Sequence, residues 1–388
     1  MQNLVEKYTI FKTHVPGSVV VDGEYVVLTG STGSLGAHIL STLIQRPAVH
    51  KVYCFVRANS PDAGSQRVLD ALHKALHLHR LTEQQKHKII ALPADLSQES
   101  FSLPTRTIDQ ITCEVTTIIH GAWSVNFNMD VSSFEQQYIR GSWNLINLCL
   151  SSSHANIPTF SFITSVSTAM AMGTPTIPEV LPKFSDAMPM GYAHSKLVTK
   201  YICHAAAAKA DIAARVLRIG QIVGDTHFGM WNAIEAIPLT IQSATTIGAL
   251  PVISNGDKEV SWLLVDTTAD TVVDLSLLDK RLNGYMPLHG AVFHVCHPRA
   301  LRWNRDVLTA LKHAGLEFEA VDQREWVKRL EASEQDGEKN PPIKLLDFFR
   351  RKYSRDETTT EPYFETKESC RFSPSLRDAK DVDAELIG

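Results

Sequence analysis

Most marks of a specialised chain are missing from these 388 residues. Neither sign of charge is in excess: 38 Lys and Arg face 42 Asp and Glu, a formal net charge of -4. That balance offers no electrostatic footprint for nucleic acid or an anionic membrane. No apolar run is long enough to span a bilayer. The first residues, MQNLVEKYTIFKTH, lack the basic-then-apolar plan of a signal peptide. Six cysteines, at 54, 113, 149, 203, 296 and 370, form no C-x-x-C pair. The usual zinc-site and disulfide-framework patterns are therefore absent. Several cysteines sit inside apolar runs, where a buried reduced thiol is the ordinary state, so a reducing, cytoplasmic setting is expected. There is no internal repeat and no low-complexity tract. What remains is ordinary globular composition, 44% hydrophobic and 21% charged, in a chain long enough for two lobes.

What is present starts at Val26-Val27-Leu28-Thr29-Gly30-Ser31-Thr32-Gly33-Ser34-Leu35-Gly36. Three apolar residues predict a buried parallel strand, and Ala37–Ile44 predicts the helix after it. Strand, glycine turn and helix together make a nucleotide site. The first glycine allows the tight turn, the second lets the backbone approach a pyrophosphate, and the third lets helix and strand pack closely. Free backbone N–H groups at the helix start then face the phosphates. The spacing is G-x-x-G-x-x-G rather than G-x-G-x-x-G, which points to the short-chain dehydrogenase/reductase variant.

Strand and helix signals alternate onward. Strands are predicted at Tyr25–Leu28, Lys51–Val56, Lys88–Leu92, Thr116–His120, Thr159–Thr164 and Arg215–Ile219, with a late strand at Ala291–Cys296. Helices are predicted to begin near Gly33, Ser65, Val131 and Tyr192. This alternation builds an α/β, doubly wound parallel sheet of the Rossmann type. Residues 1–22 read as a linker or lead-in. The nucleotide-binding domain is expected over 23–224, with 259–297 returning to it. A smaller, mostly helical substrate-binding lobe is expected from 225–258 and 298–388, its polar tail after Arg355 partly loose.

Arg57 ends the second strand, about twenty residues past the glycine turn, where an arginine accommodates a 2′-phosphate and an acid would bind a free hydroxyl. Its planar fork suits phosphate, so NADPH is expected, with Arg67 and Lys51 as weaker candidates. Asp95 either accepts from the adenine amino group or caps the next helix. The expected cofactor set is Gly30, Thr32, Gly33, Ser34, Leu35, Gly36, Arg57, Asp95 and Leu96, with Tyr192 and Lys196 at the nicotinamide end. His120 is expected to be structural.

Tyr192-Ala193-His194-Ser195-Lys196 places Tyr and Lys one helical turn apart on one face. The lysine cation is expected to lower the phenol pKa and to hold the nicotinamide ribose, while the phenol gives its proton to a carbonyl oxygen. A hydroxyl from the end of the fifth strand can stabilise the developing oxyanion; Ser165 is chosen, with Ser167 and Thr164 as alternatives. The pattern Tyr-x-x-x-Lys alone arises by chance about once in such a chain, so its weight comes from its position after the fifth strand. No metal is needed, because the proton and oxyanion roles are filled.

The stretches LTGSTGSLGAHIL, YCFVRA, PADL, IIHGAWSVNFN, FITSVSTA, GYAHSKLVTKYI and VLRIGQIVGD resemble an extended short-chain dehydrogenase/reductase. Together with GMWNAIEAIPLTIQSATTIGALP, SWLLVD and FHVCHPRALRW they resemble, more narrowly, thioester reductase domains. Such domains end nonribosomal peptide synthetases, polyketide synthases and carboxylic acid reductases, the fungal adenylate-forming reductases among them. The resemblance implies that hydride from NADPH reduces an acyl thioester on the phosphopantetheine arm of an upstream carrier domain. The product is an aldehyde, or an alcohol after a second hydride. It puts Gly30, Gly33, Gly36 and Arg57 on cofactor positions and Ser165, Tyr192 and Lys196 on catalytic ones; many relatives carry threonine where Ser165 stands. It further implies an excised, monomeric terminal domain of secondary metabolism. Rival readings are a free acyl-CoA or ketone reductase, a sugar-nucleotide epimerase, a cyclising release domain and an NADP-binding regulator. Trp123, Phe127, Met190, Phe228, Met230 and Trp231 are candidate acyl-pocket residues, although ordinary packing accounts for any single one.

Overall fold

The computed structural model describes residues 1–75, 81–253, 259–278, 290–353, 362–382 and 386. Seven parallel strands form the main sheet: β1 (Glu24–Thr29), β2 (Val49–Val56), β3 (Ile89–Pro93), β4 (Thr117–His120), β5 (Thr159–Ser165), β6 (Ala214–Ile219) and β7 (Val292–Val295). Their spatial order is β7-β6-β5-β4-β1-β2-β3. The order reverses between β1 and β4, and in open sheets of this kind ligands bind beyond the carboxyl ends of the strands at that switch point. The register carries the argument further. Thr29 pairs with His120, and His120 with Phe162. Gly30 and Gly121 therefore leave their strands at the level of Ile163, where β5 runs on to Ser165.

Central strands covered on both faces read as unbroken apolar runs. Val26, Val27 and Leu28 are accordingly fully buried, as are Phe160 and Phe162. The covering helices are α1 (Ser34–Gln45), α2 (Pro61–Ala75), α3 (Thr105–Glu114), α4 (Arg140–Leu150), α5 (Gly191–Ala210) and α6 (Val265–Ser276). The helical segment expected from Val131 is composite: a 3-10 turn (Val131–Phe134) and a π turn (Glu135–Ile139) lead into α4. Helix α3 was not predicted. Ile111 is its one buried residue, so its apolar stripe is too thin to read.

Residues 1–22 are not a loose lead-in. A short helix, Gln2–Lys7, opens the chain, and Tyr8 is buried. The strand-like stretch after it is held by hydrogen bonds: Trp143 Nε1 to the Ile10 carbonyl at 2.8 Å, Lys12 N to Asn147 Oδ1 at 2.8 Å and Val19 N to the Ser153 carbonyl at 3.2 Å. Every partner lies more than a hundred residues away, beyond the reach of local patterning.

The contacts divide the chain into two units. The first holds Met1–Gly220, Val265–Cys296 and Phe364–Asp378; the second holds Gln221–Leu264, His297–Tyr363 and Ala379–Gly388. Two segments differ from expectation. Trp262–Leu264 pairs with Gln221–Val223 in the second unit instead of returning to the sheet. The polar tail sends Phe364–Asp378 back to the first unit. There Glu179 accepts from the backbone N–H groups of His294, Glu368 and Ser369. Burial pushes the Glu179 carboxyl up, against those donors.

The second unit is a set of short strand pairs and helices. Ala249–Val252 pairs with Glu319–Asp322. Helices Ala236–Thr246, Gln323–Glu331 and Leu346–Tyr353 accompany them. Trp326 is fully buried against Phe349 and Tyr353 and donates to Ser243 Oγ at 2.9 Å. Among the described residues no helix is long and apolar enough to cross a membrane, and no cluster of side chains could hold a metal ion.

Candidate active site

The glycine turn is tight for a steric reason. Gly30 has φ +82°, and a Cβ there would meet the Ala122 nitrogen at 2.8 Å. A Cβ on Gly36 would stand 2.0 Å from the Gly30 carbonyl oxygen, so no side chain fits where α1 packs on the turn. Gly33 is different: it is exposed, and its nearest contact would be an ordinary 3.4 Å. It is the N-cap of α1, without a side-chain cap, and no acid occupies the first turn. Free N–H groups and an uncompensated helix dipole make an anion site. Thr32, Ser34 and Leu35 surround it at the surface. The cradle fits a dinucleotide pyrophosphate.

Behind the turn lies a buried relay. Thr29 Oγ1 accepts from the N–H groups of Gly121 and Ala122 at 3.2 and 3.1 Å. Its proton therefore goes to His120 Nδ1, 2.7 Å away. Ser142 Oγ spends its proton on the Tyr138 carbonyl, so it accepts from His120 Nε2 at 3.0 Å. Both ends thus fix His120 as the neutral Nε2–H tautomer. Burial and the Lys196 charge hold it down at about 3. His120 shapes the loop against the turn.

At the second strand's end Arg57 is exposed, and the Arg67 guanidinium donates to the Arg57 carbonyl. Two guanidinium side chains therefore belong to one corner. Lys51 is elsewhere, paired with Glu114 at 2.9 Å. Asp95 Oδ1 accepts from Ser97 N and Oγ at 2.9 and 2.7 Å, and from Gln137 at 3.2 Å. Burial raises the Asp95 carboxyl, but these donors outweigh it and leave it below its ordinary value. Its Oδ1 caps the local turn. Leu96 packs at Gly141, and its carbonyl accepts from Asn144 at 2.8 Å.

Strand β5 and helix α5 bring Ser165, Tyr192 and Lys196 together. Ser165 Oγ accepts from Ser167 N at 3.2 Å, and its hydroxyl lies near enough to the Tyr192 phenol to favour the ionised form. The hydroxyls of Thr164 and Ser167 are buried without a hydrogen-bond partner among the described residues. Lys196 Nζ donates to the Ile163 carbonyl at 2.6 Å. It lies 4.5 Å over the Trp123 ring and 4.9 Å over Phe162, against 5.9 Å for Tyr192. Burial drives Lys196 well below its usual value. The phenol does not follow the electrostatic expectation: burial raises the Tyr192 pKa, only partly offset by the nearby Ser165 hydroxyl. Tyr192 is therefore held in its protonated form at neutral pH, ready to donate.

Trp123 and Phe162, which carry Lys196, were not recognised as its supports; both follow β4 or lie within β5, and only the register shows that they meet. Phe127 is exposed and meets the Tyr192 ring edge-on at 5.4 Å. Met190 packs beside Ala193 and Leu197. Phe228, Met230 and Trp231 belong to the second unit, the first two exposed and Trp231 edge-on to Trp262.

The profile of the NAD-binding family described as "Male sterility protein" matches residues 28–272, more than half of the chain. The chain belongs to this family. It is a family of nicotinamide-dinucleotide-binding proteins. Over 400 residues the chain is 29% identical to "Adenylate-forming reductase Nps10" of Heterobasidion annosum, covering 97% of this chain and 35% of that protein. It thus spans about a third of that relative's length. The terminal R domain of the myxalamid PKS-NRPS pathway shares the fold at TM-score 0.80 and 20% identity, covering 99% of this chain and 94% of that one. A thiolation-reductase di-domain of an archaeal nonribosomal peptide synthetase does so at 0.71 and 20%, with coverage of 99% and 77%.

Proposed function

We propose that this chain is an NADPH-dependent reductase that releases an acyl group from a carrier-bound thioester as an aldehyde, with Ser165, Tyr192 and Lys196 as its catalytic set. The observation that carries the reading is that β5 and α5 gather Ser165, Tyr192 and Lys196 at the carboxyl end of β5, with Lys196 Nζ on the Ile163 carbonyl and Tyr192 keeping its proton, one strand from the relay that abuts the glycine turn. The adenylate-forming reductase and terminal R-domain relatives support thioester chemistry. The thiolation-reductase di-domain, and the far greater length of Nps10, support a carrier domain upstream in the same polypeptide. The domain itself is proposed to act as a monomer.

Gly30, Gly33, Gly36 and the N–H groups of Thr32, Ser34 and Leu35 would hold the pyrophosphate. Arg57, with Arg67 beside it, would hold a 2′-phosphate, which favours NADPH. When bound, the dinucleotide supplies the hydride. Ser165 donates a hydrogen bond to the thioester oxygen, and Tyr192 gives that oxygen its proton. Collapse of the resulting thiohemiacetal breaks the carbon–sulfur bond, returns the carrier thiol and leaves the aldehyde. Lys196, pinned by the Ile163 carbonyl and the two rings, fixes the helix face that aims the phenol. Phe127 walls the substrate side of Tyr192 with apolar surface.

The test is NADPH oxidation with short acyl and aryl thioesters and a loaded carrier domain, with products identified by mass spectrometry. Tyr192→Phe should lower turnover on the order of a thousandfold while leaving NADPH binding intact. Turnover of a ketone or a UDP-sugar with no thioester reduction would replace the reading.

A further inference from the structure

Helix α5 buries a third functional side chain that the proposed mechanism does not use. Tyr192, Lys196 and Lys200 stand at successive i, i+4 and i+8 positions, and Lys200 has no exposed surface. Lysine is almost never fully buried unless paired. Among the described residues no carboxylate pairs with Lys200; its ammonium donates to Thr168 Oγ1. Its charged neighbours, Arg218 and Lys196, are both cations. Thr168 is itself fully buried, and its own hydroxyl proton is committed to the Ser165 carbonyl at 2.7 Å. A threonine hydroxyl has one proton, so the direction of the chain is settled: Lys200 to Thr168, and Thr168 to the Ser165 backbone.

The other end of Ser165 is held separately. Its Oγ accepts the Ser167 N–H, and Lys196 grips the Ile163 carbonyl two residues upstream. The turn Val166–Thr168 that follows β5 is short and 3-10 in form. Ser165 ends β5 opposite Ile219 and caps this turn, and the Thr168 hydroxyl adds a side-chain clamp on its carbonyl. We propose that Lys200, acting through Thr168, is a positioning residue that fixes the Ser165 carbonyl and thereby aims Ser165 Oγ at the Tyr192 phenol. This rests on the reading of Ser165 as the oxyanion donor. A lysine kept here for stability alone makes little sense. Burial and two neighbouring cations press Lys200 toward the neutral amine, and an apolar side chain of the same length would relieve that penalty.

The experiment compares Lys200→Met, Thr168→Val, Thr168→Ser, the Lys200→Met/Thr168→Val double variant and Ser165→Ala in the full chain. The readouts are kcat and KM for a thioester that the wild type reduces, NADPH binding by fluorescence, and the thermal midpoint. Lys200→Met and Thr168→Val should each lower kcat roughly ten- to hundredfold, with NADPH binding unchanged and KM little moved. Thr168→Ser, which keeps the hydroxyl, should recover most of the loss. The double variant should be no worse than Thr168→Val, because both remove one relay. Lys200→Met should melt no lower than wild type. Wild-type kcat in Thr168→Val, losses that multiply in the double variant, or losses that track a falling midpoint would overturn the inference. If Ser165→Ala also keeps full kcat, the catalytic assignment of Ser165 falls as well. If Ser165→Ala is crippled while the relay variants are not, only the relay falls.

Discussion

The two units spend charge in opposite ways. The first buries the basic side chains of Lys196, Lys200, Arg215 and Arg218 almost completely. The second places most of its ion pairs at the surface: Arg350 with Glu331 at 2.5 Å, Arg329 with Glu319 at 2.6 Å, Arg305 with Asp306 at 2.7 Å. Exposed pairs contribute little to stability and are freely exchanged. Buried cations are expensive, and they persist where geometry depends on them. Arg215 bonds the carbonyls of Leu275 and Ser276, and Arg218 bonds that of Val180 and the His294 ring. Arg215 and Arg218 thus tie a helix end and a loop to β6.

The largest effect that would sharpen this contrast is steric. Gly36→Ala pushes a Cβ to 2.0 Å from the Gly30 carbonyl, and backbone cannot give as a side chain can. A loss of about 3 kcal/mol or more and no measurable NADPH binding are expected from urea melts and fluorescence titration. Gly33→Ala meets nothing closer than 3.4 Å, so it should fold normally and lose only cofactor affinity. Equal melting of the two variants would break the assignment of their separate roles.

Next comes acid. His120 is neutral in the fold and held at about 3 from an ordinary 6.5. A histidine depressed in the folded state is protonated first in the unfolded chain. Its contribution to stability is therefore complete above pH 6.5 and is lost as pH falls toward 3. About 3 kcal/mol of it should be gone by pH 4. His120→Asn keeps a donor and an acceptor for Thr29 and Ser142. Urea melts between pH 7 and 4 should show the wild type losing stability more steeply than this variant. Parallel curves would mean that the relay tolerates a charged ring.

What the sequence disclosed, and what it hid, follows from the range of the interactions. The seven strands were legible because each is a short apolar run followed by a turn, a signal contained within a few residues. The glycine turn and the Tyr192–Lys196 spacing are local for the same reason. The N-terminal strap, the return of Phe364–Asp378 and the Lys200–Thr168 clamp were not legible. Each depends on polar residues whose partners lie tens to hundreds of residues away, and a polar side chain looks alike whether it is solvated or bonded to a buried carbonyl. The expected depression of the Tyr192 pKa failed for a related reason. Helical spacing puts Lys196 beside the phenol, but only the tertiary structure shows its amine turned to Ile163, Trp123 and Phe162. Asp95 could be read as a helix cap or an adenine acceptor, and its bonds to Ser97 N and Oγ, within a turn where no helix begins, are visible only in the structure.

Cofactor preference should respond more mildly. Arg57→Ala and Arg67→Ala each remove one guanidinium from the corner after β2. A charge-assisted hydrogen bond is worth about 1.5–3 kcal/mol, so the NADPH dissociation constant should rise roughly ten- to hundredfold, while that of NADH stays put. A matching loss for both dinucleotides would mean that the arginines serve the fold and not the 2′-phosphate.

The smallest effect is expected in the second unit. Arg350 sits half exposed between Glu331 and Asp347, and both carboxylates keep full access to water when it is removed. Arg350→Ala deletes two surface pairs at once, yet its thermal midpoint and kcat should be indistinguishable from wild type. The comparison between the units turns on this null. If removing one exposed arginine from the second unit cost as much as replacing a buried lysine of the first, burial would not be what separates positioning charges from solvated ones. High salt offers the control: screening acts on exposed pairs and spares buried ones. Added salt should therefore leave the gap between Lys200→Met and wild-type turnover unchanged, and should shrink whatever small difference Arg350→Ala shows.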